Sequence, residues 1–177
     1  MTMRKLTEAI HRVQAVLQRK PEFGLHDDAP ATARWTGGAR FIAGHPNGQQ
    51  MATDMPTELG GTGDQVTPGW LFRAGLASCA ATSILLAAAA EGLELSELEV
   101  DAGSRSDTRG LLGMHGADNA PVYGGPGEIT LQVRIKAAGV DAARLRALVQ
   151  AGVGRSPVPN VVTRATAIDL RIDVVAA

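Results

Sequence analysis

One thiol stands where the chain is most apolar: Cys79, the only cysteine, within "LFRAGLASCAATSILL" (Leu71 to Leu86). A free cysteine is either a small hydrophobe filling a core or a nucleophile, and the residue types around it leave both open. As a nucleophile it would act as the thiolate, and oxidation would take it first to a sulfenic acid. A single cysteine excludes an intrachain disulfide and any zinc or iron–sulfur site built from several cysteines. Such usage fits a reducing, cytoplasmic setting.

An attacking thiolate needs a positive charge close by. Cys79 lies about three turns beyond Pro68, too deep to feel the N-terminal dipole of its own helix. Arg73 falls on the opposite side of a regular helix, which leaves Arg34, Arg40 and Arg155 as candidate cations. Trp70 and Phe72 either wall an apolar substrate pocket or pack an interface. Thr82 and Ser83, one turn past the thiol, are read as bonding back to helix carbonyls. Ser156 has no Gly-x-Ser-x-Gly context and no neighbouring histidine, so a hydrolase triad is unsupported. Glu58 is a loop charge that could neutralise an arginine. His11, His26, His45 and His115 are scattered without ligand spacing, so neither a metal nor another cofactor is expected.

The remainder of the chain must position these groups. Its 177 residues suit one domain with a real core, and the net charge of −1 is ordinary. No Lys/Arg-rich run points to nucleic acid. The N-terminus, "MTMRKLTEAIHRVQ", mixes charge into its apolar residues and does not read as a signal peptide. Ala74 to Ala90 is uncharged, but it is shorter than the roughly 20 residues a membrane span needs. We expect a buried helix rather than a membrane segment.

Thr7, Ile10, Val13, Val16 and Leu17 recur at helical spacing until Pro21, predicting an amphipathic N-terminal helix. Short strands then flank a Pro46-Asn47-Gly48 turn. "TELGGTGDQVTPG" reads as a loop, and its glycines lack the Lys-Ser/Thr ending of a phosphate-binding loop. Thr67 and Pro68 predict a helix start, with Gly92 as its end. Leu98, Val100 and Ala102 alternate with charges, as do Ile129, Leu131, Val133 and Ile135, so both stretches read as strands with one dry face. Asp141 predicts the cap of a short helix closed by Gly152. "AIDLRIDVV" alternates Ile168, Leu170, Ile172 and Val174 with charges and predicts a final strand. The order is that of an α+β fold with antiparallel sheets packed around a long apolar helix. That helix is apolar nearly all round, so it needs cover on several sides, some of it from a partner subunit.

These residues carry a resemblance. "TPGWLFRAGLASCAATSI" resembles the opening of the central helix in the OsmC/Ohr family of hydroperoxide-defence proteins, with Pro68, Leu71, Phe72, Ala74, Gly75, Ala77 and Cys79 in register. "ATARWTGGAR" followed by "MPTELGGTG" is similar to that family's T-G-G-R strand and P-x-E-L-G-G-x-G loop. "DTRGLLG" and "RSPVPNVV" resemble the loop and second-helix motif of one branch. The likeness runs from about Ala31 to Val175, which divides the chain into an N-terminal helical extension, residues 1–22, and an OsmC-like domain, residues 23–177.

The resemblance implies an intertwined homodimer whose pocket is made by both chains. It also implies a peroxidase that attacks an organic hydroperoxide with the cysteine at Cys79 and closes a disulfide with a second cysteine. A glutamate after the helix proline and an arginine of the T-G-G-R strand assist. Here Gly69 stands at the glutamate, Ser156 at the second cysteine, and Ala39 at the arginine, with Arg40 one residue later. Two readings follow. In the first, Cys79 and Arg40 are catalytic, Trp70 and Phe72 line the substrate site, and an external thiol or dithiol reductant returns the enzyme. In the second, the protein is a non-catalytic dimer that binds a small apolar ligand. The N-terminal helix, outside the likeness, is a candidate docking element for a partner.

Overall fold

The computed structural model describes residues 3–174. An amphipathic helix α1 (Met3–Arg19) stops before Pro21. A meander β1 (Thr32–Gly37), β2 (Arg40–Gly44) and β3 (Gln50–Thr53) follows, all antiparallel. The turn at Pro46 and Asn47 separates β2 from β3, with Gly48 N–H donating to His45 O at φ +91°, a conformation glycine adopts freely. Arg40 pairs with Gly37 beyond an irregularity in the β1–β2 ladder.

The long helix α2 (Pro68–Ala90) begins as its sequence demands: Thr67 Oγ1 accepts from Trp70 N–H at 3.1 Å, and Pro68 fills the first turn. It ends before Gly92, at φ +67°. Strands β4 (Leu95–Ser106) and β5 (Pro126–Ala137) form a second, two-stranded antiparallel sheet, joined through the short helix α3 (Thr108–Leu111). Their alternation holds: Leu98, Val100 and Ala102 face inward, as do Ile129, Leu131, Val133 and Ile135. Helix α4 (Ala142–Gly154) is capped by Asp141, and α5 (Pro157–Arg164) follows directly.

The core lies along α2, where α4, β4, α1 and α5 pack. Ala87, Ala88 and Leu148 form its centre, flanked by Leu93, Leu95 and Ile135. The small residues of α2 let neighbours come close. Trp70, Phe72 and Leu86 nevertheless remain exposed. Helix α1 lies against α2, and His11 Nε2 is 3.2 Å from Ala90 O.

Two expectations are corrected. Gly152 does not end α4: it is buried inside the helix, where a Cβ would stand 2.7 Å from Ile84 Cα. It is therefore a close-approach residue at the α2–α4 crossing. The final strand is absent: residues 167–174 belong to no helix or strand, with Ile168 91% and Val174 90% exposed. Val175, the end of that expected strand, lies outside the described residues. A strand exists only where its backbone bonds to a neighbouring edge, and among the described residues no sheet includes this segment. The β1–β3 sheet makes no extensive contact with any helix of its own chain.

Candidate functional site

The site forms where α4 crosses α2. Because Gly152 has no side chain, the two helix backbones approach at Ile84, and the turn after α4 reaches the face of α2 that carries Cys79. Ser156 sits in that turn, fully buried, as the cap residue of α5. Its N–H donates to Val153 O, and its carbonyl accepts from Asn160 N–H and Asn160 Nδ2. Its hydroxyl makes no cap bond. Instead it donates to Cys79 Sγ at 3.2 Å.

The N–H of Val158 also points at that sulfur, at 3.5 Å. Val158 is the second residue of α5, whose N–H a capping oxygen would ordinarily take. Cys79 Sγ thus occupies the acceptor position at the start of a helix. Two donors and the positive end of the α5 dipole converge there, an arrangement that favours negative charge. The thiol is half-buried rather than sealed.

Two of the candidate arginines, Arg40 and Arg155, have other partners in this chain. Arg40 Nη2 contacts Asp54 at 3.2 Å and Thr62 Oγ1 at 2.7 Å, and it also pairs with Asp64. Asp54 is 2% exposed. It accepts from the hydroxyl and N–H of Thr62, from Met55 N–H and from Arg40, and these bonds hold its carboxyl well below the usual range. Thr62 and Arg40 lower Asp64 likewise, and the two carboxylates, Asp64 foremost, raise Arg40. This cluster ties β2 to the glycine-rich loop ahead of α2. Glu58 is an exposed loop charge that accepts from Thr57 Oγ1.

Arg73 donates to Ser104 Oγ on β4, and Arg155 folds back on Ala151 O. Among the described residues, no arginine hydrogen-bonds the sulfur. A side chain at Gly69 would meet Arg73, with its Cβ 3.7 Å from Nη1. Trp70 and Phe72 lie on the opening turns of α2, at 44% and 37% exposure. The described residues contain no cluster of three or more metal-type ligands.

The donors at the sulfur escaped the sequence reading, which looked for an arginine. The signal existed: Ser156-Pro157 is a cap residue followed by an N1 proline, the mark of a helix start.

The model of the family "OsmC-like protein" matches residues 61–171. No curated protein sequence matches the chain. Among solved structures, an OsmC-like protein of Mycoplasma pneumoniae superposes with a TM-score of 0.65 at 19% identity, covering 79% of this chain and 90% of that one. An organic hydroperoxide resistance protein from Elizabethkingia anophelis gives 0.56 at 21% identity, covering 79% and 90%. A Legionella pneumophila organic hydroperoxide resistance protein gives 0.56 at 20%, covering 79% and 92%. At these identities the likeness to each structure is one of fold.

Proposed function

This chain belongs to the OsmC-like protein family, and from that premise we propose that it is a thiol-dependent peroxidase reducing organic hydroperoxides through Cys79. The observation that carries the proposal is the sulfur's seat: half-buried, with Ser156 O–H and Val158 N–H directed at it. Organic hydroperoxide resistance proteins among the fold neighbours supply the substrate class. In the reaction the thiolate attacks the terminal peroxide oxygen, the O–O bond breaks, and the products are a sulfenic acid and an alcohol. Ser156 cannot close a disulfide, so an external thiol reduces the sulfur. Trp70 and Phe72 wall the substrate site. Arg40, one residue beyond the position of the family's arginine, orders the loop ahead of α2 through Asp54 and Asp64.

The working form in this proposal is a cytoplasmic homodimer. The uncovered apolar residues of α2, the β1–β3 sheet without a helix against it and the unpaired 167–174 segment support it. A soluble chain does not leave that much apolar surface open without a partner.

One observation favours a second reading. Arg40 is neutralised by two carboxylates of its own chain, which fits a dimer that keeps an apolar cavity for a small ligand and has lost turnover. Consumption of an alkyl hydroperoxide in the presence of excess thiol separates the two. Turnover by the wild type, abolished in Cys79→Ser, supports the peroxidase; equal rates in both favour the ligand-binding dimer.

A further inference from the structure

The Ser156 hydroxyl is fully buried, and among the described residues its hydrogen-bond partner is a sulfur rather than any N–H of the helix it begins. A serine at an N-cap normally accepts from those N–H groups. Here the sulfur accepts from Val158 N–H, and the serine donates to the sulfur. We propose that Ser156 is a catalytic residue: its O–H stabilises the Cys79 thiolate that makes the attack and leaves the oxidised sulfur without an intrachain partner. Turnover then passes through a mixed disulfide with a low-molecular-weight monothiol. The proposal rests on Cys79 being the nucleophile.

The steps balance. Thiolate sulfur gives an electron pair to the terminal oxygen of R–O–OH; the S–O bond forms, the O–O bond breaks, and the departing alkoxide takes a proton from water. The product is Cys79 sulfenic acid. A monothiol R′SH attacks the sulfenyl sulfur, forming S–S and releasing water. A second R′SH attacks the sulfur of the bound R′S group, releasing R′S–SR′ and restoring the Cys79 thiol. The Ser156 oxygen cannot play the part of R′SH, because it has no thiol to oxidise. It supports the sulfur and does not trap it.

The test compares alkylation of Cys79 by iodoacetamide in wild type and Ser156→Ala. If the hydroxyl only packed against the thiol, its removal would open space and leave alkylation equal or faster. If it stabilises the charged sulfur, alkylation slows about threefold, the loss of one hydrogen bond to the thiolate being partly offset by the greater nucleophilicity of the thiolate that remains. An equal or faster rate overturns the role. Alkylation needs no hydroperoxide, so this result stands apart from the failure of the peroxidase reading, which shows as wild type inert to hydroperoxide and overturns the turnover route alone. Ser156→Cys carries the test if the alanine variant does not fold. Hydroperoxide should close a disulfide between Cys79 and the new thiol, whereas a sulfenic acid persisting on Cys79 would overturn the contact. In wild type with a monothiol present, the Cys79 peptide should carry that thiol as a mixed disulfide, and its absence during turnover would contradict the route.

Discussion

Ser156 and Cys79 are 77 residues apart in sequence and 3.2 Å apart in space. The contact depends on Gly152, which lets α4 lie against the backbone of α2 at Ile84. The reach of the hydroxyl to the sulfur is therefore a consequence of helix packing, and it should fail when that packing fails.

Gly152→Val makes this measurable. The added Cβ would stand 2.7 Å from Ile84 Cα and 2.9 Å from Ile84 Cγ1, both too close to keep. Overpacking of this kind costs about 1–3 kcal/mol. Denaturant unfolding should show that loss, accompanied by altered alkylation of Cys79. An unchanged midpoint would mean that the crossing tolerates a side chain.

How much of this was legible in the sequence varied with the range of the interaction. Thr67-Pro68 and Gly92 bounded α2, and alternation marked β4 and β5, because each signal is local. Gly152 read as a helix end because glycine commonly ends helices; its partner Ile84 lies in another element and leaves no trace beside it. The alternation of Ile168, Leu170 and Ile172 was legible, but a strand also needs an edge, which alternation does not encode. Within the chain the sulfur is met by a pair of neutral donors at a helix terminus. Nothing near Cys79 in sequence announces them.

The Asp54 cluster gives a pH dependence. Hydrogen bonds, foremost from Thr62, depress the folded-state value of Asp54 below the ordinary 3.8. A depressed carboxylate contributes stability that is complete above its unfolded value and is lost as pH falls through the folded one. Thermal unfolding of wild type should therefore weaken steadily on acidification below about pH 4. Asp54→Asn should be less stable at neutral pH and show a shallower acid slope, with Asp64 supplying what remains. Matching slopes would remove Asp54 from the account.

Gly69→Glu should stabilise α2. The position is exposed in the first turn and its Cβ faces Arg73 one turn on, so the carboxylate gains an i,i+4 partner and a favourable helix end while glycine's backbone cost is removed. A rise of about 1 kcal/mol in unfolding free energy is expected. A fall would show that this turn needs glycine in the assembled protein.

The dimer proposal is tested by mass in solution. Light scattering should give twice the chain mass, and replacing both Ile168 and Ile172 with aspartate should shift the protein toward monomer, since these exposed apolar side chains would then face a partner with charge. A stable wild-type monomer would contradict the dimer.

The central claim is that Cys79 sulfur reacts with a hydroperoxide, and trapping the product tests it most directly. Wild type mixed with an alkyl hydroperoxide and a sulfenic-acid-specific nucleophile should carry the adduct on the Cys79 peptide, in proportion to alcohol formed. Hydroperoxide left intact, with the Cys79 peptide unmodified, would contradict it.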